Sequence, residues 1–425
     1  MDIRRLQLWS GRTATVMDND CVRFVLEDQG GMGIEFSSRN ASGALENSAW
    51  APAFRSSGVS VFSDPNASFW KHSSQLYQMG GSYFSFPDFG PFPQQDRNSD
   101  EAVSTTEGQF WVVERYGTDS ASGGIWTLST TKNRLAKWQV EKIDLLLPGQ
   151  CVHYTATTVT NLGPTPLEGT AVWSNNIGSP FFESGCLINS CAKTWMTPPD
   201  PQNGKVRHLF ANGIQFDDLT HIPIGGGRTV DYTVVPAVNG HTDFITGRVP
   251  RQSDLGWTSV INPRHQMVFF TFFPGPLALK TGDMPINFVN FCFNYGGRHL
   301  TPEALYDGGT SRSFSLDCGA GTNLLDMGLE AAREKRTLMG VDTLVTFQPG
   351  ESKTMFYASA FLPYTSSRIS MNFYSVERVM NGLQLKRTKS WAFIACDPEF
   401  QAIRALACRL AEEKRELLRS LQPLA

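Results

Sequence analysis

Along most of the chain, apolar and polar positions alternate with a period of two, which is typical of strands that bury one face. The runs TATVMD and CVRFVLED begin this pattern at Thr13, and QFWVVERY, GIWTLST, KWQVEKIDLLL and CVHYTATTVT continue it between Phe110 and Thr160. Gly, Pro or Asn separates the runs, so we expect antiparallel strands joined by turns. Two later runs, MVFFTFF and INFVNFCFNYGG, are almost wholly apolar and predict strands buried on both faces.

Within KWQVEKIDLLL the apolar residues change parity. Trp138 and Val140 share one face of the predicted strand, whereas Ile143, Leu145 and Leu147 share the other. This change of phase predicts a β-bulge.

Helical spacing replaces the alternation near the end of the chain. Asp397 and Pro398 are typical of an N-cap and a first helical position, so the pattern predicts a helix over about 398–422 that packs on the sheet. Its apolar stripe consists of Phe400, Ile403, Leu406, Leu410, Leu417 and Leu421. A weaker pattern predicts another helix over 322–336, with Thr322 as its N-cap.

Composition supports one large β domain. The chain has 425 residues, of which 41% are apolar and 18% charged, and its 38 Gly and 24 Pro suit strands joined by turns. Because no linker-like change of composition divides the chain, we expect a single domain over residues 1–425.

Charge and cysteine content exclude several functions. A formal net charge of −3 predicts no general attraction to nucleic acid or to an anionic membrane. The eight cysteines are widely spaced and form no C-x-x-C pair, which predicts reduced thiols rather than a zinc site. We therefore expect no cofactor and assign no metal ligands; a divalent metal stays an open question, because Asp and Glu show no ligand spacing. The start, MDIRRLQLWSGR, lacks the apolar segment of a signal peptide, so we expect a cytoplasmic protein.

The stretch WSNNIGSPFFESGC, from Trp173 to Cys186, carries the most unusual chemistry. It follows a predicted strand and combines amides, a carboxylate and aromatic rings. A carbohydrate needs such a mixture, because its C–H faces pack on rings while its hydroxyls bond to amides and carboxylates. The candidate ligand contacts are Asn175, Asn176, Phe182 and Glu183, and Asp88 in the aromatic loop GGSYFSFPDFGP joins them.

Several motifs, taken in order, resemble the galactose mutarotase-like superfamily, which includes the aldose 1-epimerases. KWQVEKIDLLLPGQCVHYTATTVTNLGPTPLEG looks like the paired strands before the family's N-H-x-x-F-N motif, and WSNNIGSPFF follows in its place. INFVNFCFNYGG with SFSLDCGAGTN is similar to the late strand pair, DTLVTFQPGES to the closing strand, and FSFPDFGPF to an early loop. The resemblance covers residues 13–365. It implies an all-β super-sandwich with a C-terminal helix and a concave face that binds a monosaccharide or sugar phosphate.

The resemblance also implies catalytic positions, at which this chain differs from the family. The family uses a histidine as general acid on the ring oxygen and a glutamate as general base on the anomeric hydroxyl. The histidine position holds Asn176, whose amide does not transfer protons, and the glutamate position holds Asp317, which is one carbon shorter. His72 and His299 are the candidate replacement acids.

Other interpretations of these residues stay open. Arg97 and Arg298 are candidate anchors for an anionic sugar substituent, and the two histidines also suit purely structural positions. Without an acid opposite Asp317, the chain would be a carbohydrate-binding protein with no turnover. A glycoside hydrolase would need Asp317 and Glu183 to face one glycosidic bond.

Overall fold

The computed structural model describes residues 1–8, 11–50, 80–90, 105–199, 207–297 and 314–421. In chain order the strands of the first half are β1 (Asp2–Gln7), β2 (Thr13–Asp18), β3 (Val22–Glu27), β4 (Gly33–Arg39), β5 (Leu45–Asn47), β6 (Ser82–Ser85), β7 (Val112–Thr118), β8 (Ile125–Asn133), β9 (Trp138–Leu146), β10 (Val152–Asn161), β11 (Leu167–Gly169), β12 (Ala171–Ile177), β13 (Leu187–Ser190) and β14 (Trp195–Met196). Those that follow are β15 (Gln215–Phe216), β16 (Ile222–Ile224), β17 (Arg228–Val230), β18 (His241–Arg248), β19 (Leu255–Asn262), β20 (Met267–Pro274), β21 (Phe288–Tyr295), β22 (Phe314–Thr322), β23 (Thr337–Leu338), β24 (Val341–Asp342), β25 (Val345–Phe347), β26 (Ser352–Pro363), β27 (Ser375–Val379), β28 (Gly382–Lys386) and β29 (Trp391–Ile394). The helices are α1 (Leu329–Lys335) and α2 (Gln401–Leu421).

Two large antiparallel sheets form the fold. Across the described ranges, the larger sheet has the order β1-β2-β3-β4-β6-β12-β22-β21-β18-β14-β15, with β5 paired to β4. The smaller sheet has the order β13-β19-β20-β26-β10-β9-β8-β7. This architecture confirms the predicted all-β class, and a short sheet, β27-β28-β29, precedes the predicted C-terminal helix.

The sheets pack face to face over an aromatic core. Trp173 of β12 meets Tyr357 of β26 edge to face, with ring centroids 5.9 Å apart. Phe36 of β4 and Phe361 of β26 are separated by 6.2 Å between centroids. Burial of this apolar surface, at about 25 cal/mol per Å², is the main force that holds the sheets together.

Strand β9 has no bulge, so that prediction is wrong. It pairs with β8 and with β10 in unbroken register from Trp138 to Leu146. Trp138, Val140 and Lys142 share the face toward the larger sheet, where the Lys142 ammonium reaches the Gly31 carbonyl. Ile143, Leu145 and Leu147 on the other face are buried as well, so the apolar residues change parity while the strand keeps its phase.

Helix α2 covers the outer face of the smaller sheet, as predicted, but begins at Gln401. Pro398 therefore lies before the helix, and its carbonyl accepts a hydrogen bond from the Arg378 side chain. On the helix, Arg404 donates through both terminal nitrogens to Asp283, at 2.8 and 2.6 Å. No helix within the described ranges is long and apolar enough to cross a membrane.

The predicted helix over 322–336 is only partly correct. Strand β22 continues to Thr322, whose hydroxyl accepts the Ala171 N–H of the neighbouring strand. Leu325 and Asp326 then have φ of 50° and 55°, which helices do not use. Helix α1 therefore begins only at Leu329.

Candidate functional site

The larger sheet has one apolar face and one polar face. Successive residues of a strand point to opposite faces. In β21, Phe291 and Phe293 belong to the main hydrophobic core, whereas Asn290, Cys292 and Asn294 lie on the opposite face, called the polar face below.

Hydrogen bonds link the strands on the polar face. The Thr246 hydroxyl donates to Asn290 Oδ1 at 2.9 Å, and the Thr242 hydroxyl donates to Asn294 Oδ1 at 2.9 Å. Asn294 Nδ2 lies 3.4 Å from the Ser315 hydroxyl of β22. Such a ladder of hydroxyls and amides matches the hydrogen-bonding needs of a sugar.

Asp317 lies in the middle of this face. Its strand partners are Asn176 on β12 and Cys292 on β21, so the three residues form one row. Asp317 is only 7% exposed, and its Oδ1 accepts the backbone N–H of Asn175 at 2.9 Å. A carboxylate in an otherwise neutral strand is costly to bury unless hydrogen bonds stabilise its charge.

Tyr83 is the polar-face residue that the sequence interpretation missed. It pairs with Ser174, whose hydroxyl hydrogen-bonds the phenol, and Asn176 Nδ2 lies 3.5 Å from the same Ser174 hydroxyl. Burial, and then the charge of Asp317, raise the pKa of Tyr83 well above its ordinary value. Tyr83 is therefore a neutral hydrogen-bond donor beside the carboxylate. The alternation of Tyr83 and Phe84 in SYFS is the sequence feature that could have indicated a strand with Tyr83 on one face.

Glu107 is a second acidic group beside this face. Its Oε1 accepts the Ser85 hydroxyl at 3.1 Å, and Ser85 shares a face of β6 with Tyr83. Burial raises the pKa of Glu107 to about 7, although hydrogen bonds from Thr105 and Ser85 oppose the shift. Nothing in the local sequence indicates that this glutamate is buried.

Asn175 lies on the core side of the sheet, not on the polar face. Its Nδ2 donates to the Tyr357 hydroxyl at 2.9 Å, and its Oδ1 accepts from the Ser359 hydroxyl at 3.3 Å. Residues 175 and 176 are neighbours in an extended strand, so only one of them faces each side. Asn176 occupies the polar face, and the predicted ligand contact of Asn175 does not fit this placement.

Phe182 and Glu183 are occupied by protein contacts. Phe182 is 2% exposed and stacks with Phe314 at a centroid distance of 5.4 Å. Glu183 bonds Arg264 at 3.0 Å and Asn262 at 3.2 Å, which holds its loop to the β19–β20 turn. Glu183 is not in contact with Asp317. The structure therefore does not support these two carboxylates as the catalytic pair of a glycoside hydrolase.

Asp88 caps a helix. Its Oδ1 accepts the N–H of Leu329, the first residue of α1, at 2.7 Å. Burial raises the pKa of Asp88, and that N–H partly opposes the shift. This hydrogen bond gives Asp88 a structural role that needs no bound ligand.

The remaining predicted residues are not part of the described structure. His72, Arg97, Arg298 and His299 lie outside the described residues and stay predictions. Among the residues that are described, no group of three or more His, Cys, Asp or Glu side chains has an arrangement suited to a metal ion.

Comparisons with known proteins show similarity of fold. No family model and no curated protein matches the sequence. A proposed aldose 1-epimerase from Klebsiella pneumoniae superposes with a TM-score of 0.54 at 12% identity, covering 85% of this chain and 83% of its own. A galactose mutarotase-like protein from Clostridium acetobutylicum gives 0.53 at 12% identity, covering 86% and 99%. A TPR-domain containing protein from Parabacteroides distasonis gives 0.52 at 10% identity, covering 95% of this chain and 55% of its own.

Proposed function

Because the chain has the galactose mutarotase-like fold, we propose that it binds a monosaccharide or sugar phosphate on the polar face and interconverts its anomers. The observation that carries this proposal is the buried Asp317 carboxylate, in one row with Asn176 and next to the Tyr83 phenol. The names of the structural neighbours, aldose 1-epimerase and galactose mutarotase-like protein, support the same class of ligand.

Asp317 is the proposed general base. Its carboxylate takes the proton of the anomeric hydroxyl, the C1–O bond to the ring oxygen breaks, and the ring oxygen gains a proton. Rotation about C1–C2 and the reverse steps give the other anomer, so protons and atoms balance. The N–H of Asn175 holds one carboxylate oxygen in place, which fixes the direction of the other. Fixed geometry matters because a displacement of about 1 Å costs on the order of a hundredfold in rate.

Two kinds of group are proposed to act on the ring oxygen. Tyr83 suits stabilisation of charge on the ring oxygen by a hydrogen bond, because its raised pKa opposes full proton transfer. His72 and His299 remain the proposed donors of the proton itself. Arg97 and Arg298 remain the proposed anchors of a phosphate.

A binding protein without turnover is the second candidate. The observation that favours it is Asn176, a residue with no proton to transfer, at the position where the resemblance implies the catalytic acid. Hydrolysis is less favoured. Glu183, the carboxylate that a hydrolase would need opposite Asp317, is held by Arg264 and Asn262 instead. Glycosidases hold their carboxyls about 5–10 Å apart.

Proton NMR of anomeric exchange in a panel of aldoses and sugar phosphates tests the proposal. We expect the wild type to accelerate exchange of at least one sugar, and Asp317→Asn to lower that rate by about 10²–10⁴-fold through loss of the base. Asp342→Asn, an exposed aspartate on β24, is the matched control and should keep the wild-type rate.

Two results would contradict the proposal. If Asp317→Asn retains the wild-type rate, Asp317 is not the base. If no sugar exchanges faster than in buffer while saturation-transfer signals reveal one bound, the protein recognises a carbohydrate without this chemistry.

A further inference from the structure

The ladder between β12 and β22 contains an unusual hydrogen bond. Trp173 pairs with Ala320 and Asn176 pairs with Asp317, but the residues between them form no paired bridge. At this interruption the N–H of Asn175 donates to the side chain of Asp317, at 2.9 Å. One main-chain donor of the sheet is thus used to hold a carboxylate.

The side chain of Asn175 is fixed by the opposite sheet. Its two amide atoms bond the hydroxyls of Tyr357 and Ser359, which share one face of β26. Asn175 is 4% exposed and Tyr357 is 1% exposed, so bulk water has little access to these bonds. The Tyr357 ring packs edge to face on Trp173, at 5.9 Å, and stacks on Phe273, at 6.2 Å between centroids. The anchor is therefore rigid.

These contacts form a continuous connection from the smaller sheet to the carboxylate. The Tyr357 hydroxyl fixes the Asn175 amide, and the backbone of the same residue fixes Asp317. We propose that Asn175 is a positioning residue, which transmits the placement of Tyr357 and Ser359 to the Asp317 carboxylate through its own N–H. The effect on catalysis rests on the proposed function, whereas the placement of Asp317 is measurable without a substrate.

Tyr357→Phe is the most selective test, because it removes a hydroxyl and keeps the ring. Tyr154→Phe is the matched control: Tyr154 is equally buried, and its hydroxyl bonds Gln150 and Asp397 instead. Asn175→Ala and Ser359→Ala remove the other anchoring groups. Circular dichroism and thermal melting identify any variant that does not fold. The proposal is tested with those of Tyr357→Phe, Asn175→Ala and Ser359→Ala that do fold.

The first readout is NMR of protein labelled with ¹³C at aspartate carboxyls and ¹⁵N at backbone amides, with Asp317→Asn to assign the signal. In the wild type we expect the Asn175 amide shift to follow the titration of Asp317, because the two groups share a hydrogen bond. In Tyr357→Phe and Asn175→Ala the carboxyl should titrate at higher pH, by about half a unit, because a looser N–H stabilises its charged form less. Tyr154→Phe should titrate like the wild type.

The second readout is the rate of anomeric exchange. We expect roughly a tenfold lower kcat in Tyr357→Phe with KM within about twofold, since a displaced base weakens the transition state more than binding. Unchanged Asp317 titration in all folded variants overturns the positioning role. Altered titration in a protein that accelerates no exchange supports the positioning role and overturns the proposed epimerase instead.

Discussion

Glu107 is a carboxyl group whose ionisation the fold opposes near neutral pH. Its side chain is almost fully buried, and burial raises its pKa from 4.5 to about 7. Between these values the unfolded chain has lost the proton that the folded chain still binds. Stability from this group is therefore complete below about pH 4.5 and falls as the pH rises through 7.

Glu107→Gln should remove this pH dependence. Each pKa unit corresponds to about 1.4 kcal/mol, so the wild type should lose roughly 3 kcal/mol of unfolding free energy through Glu107 between pH 4.5 and 7. The neutral glutamine keeps the hydrogen-bonding shape and has no charge to bury. Urea unfolding at pH 5 and pH 8 measures the effect, with the exposed Glu412→Gln as control. Equal pH dependence in Glu107→Gln and wild type would show that Glu107 is ionised in the fold at little cost.

At the scale of single residues, the sequence identified candidate site residues but not the face of the sheet on which each one lies. Asn175 and Asn176 have the same chemistry, and only the pairing of Asn176 with Asp317 determines which of them meets the polar face. Tyr83 was visible within an aromatic loop, yet its proximity to Asp317 depends on the pairing of β6 with β12 and of β12 with β22, which lie far apart in the chain. Local pattern contains no information about such contacts.

Helix α2 illustrates what a periodic pattern predicts at the scale of elements. The apolar stripe correctly predicted the buried positions Ile403, Leu406 and Leu410, but Leu417 is 59% exposed. The stripe continues past the sheet that it covers, and spacing alone does not reveal where the partner surface ends.

Ile403→Ala and Leu417→Ala form a matched pair on this helix. Ile403 is 0% exposed, so its truncation should cost about 2–5 kcal/mol of unfolding free energy by leaving a cavity. Leu417→Ala should change stability by less than about 0.5 kcal/mol. Chemical denaturation measures both. Similar small losses in the two variants would mean that α2 is not packed on the smaller sheet in solution.

The predicted element boundaries were wrong where tertiary contacts determine the start of an element. The region from 322 to 336 has helical spacing, but the hydrogen bond between Thr322 and Ala171 keeps its first residue in the sheet. Asp88, from a distant loop, then supplies the bond at the start of α1. A sequence window contains neither partner.

At the scale of the whole molecule, a cluster of three titratable side chains is buried between the two sheets. Asp144 bonds His153 at 2.9 Å and lies 3.6 Å from the Lys142 ammonium, and all three side chains are at most 3% exposed. Burial opposes the ionisation of Asp144, but Lys142 and His153 lower its pKa. The Lys142 ammonium also faces the rings of Trp111 and Trp173, at 5.3 and 5.5 Å.

Asp144→Asn should be strongly destabilising, because it leaves the Lys142 charge buried without its partner. We expect a loss of about 3–5 kcal/mol in urea unfolding at pH 7. Glu141→Gln is the control on the same strand, where a partly exposed pair with Lys414 should be worth less than about 1 kcal/mol. A loss below about 1 kcal/mol in Asp144→Asn would indicate that Lys142 is neutral or hydrated in the fold.

The fold as a whole was more predictable than the site. The motifs around Asn176 and Asp317 follow the order of the family that the sequence resembles, and this order indicated the super-sandwich, although the sheets join strands that are far apart in the chain. Which polar residues converge depends on register and twist across twelve strands of the described larger sheet. The single domain over 1–425 and the cytoplasmic location stay predictions.

During synthesis the smaller sheet remains incomplete until nearly all of the chain has left the ribosome. Strand β26 lies between β20 and β10, and Val152 pairs with Ala360. Translation at about 5–20 residues per second leaves β10 without that neighbour for roughly 10–40 s. An unpaired strand edge readily captures other strands. We therefore expect nascent chains that end before β26 to aggregate or bind chaperones, and release from them to coincide with the emergence of residue 360.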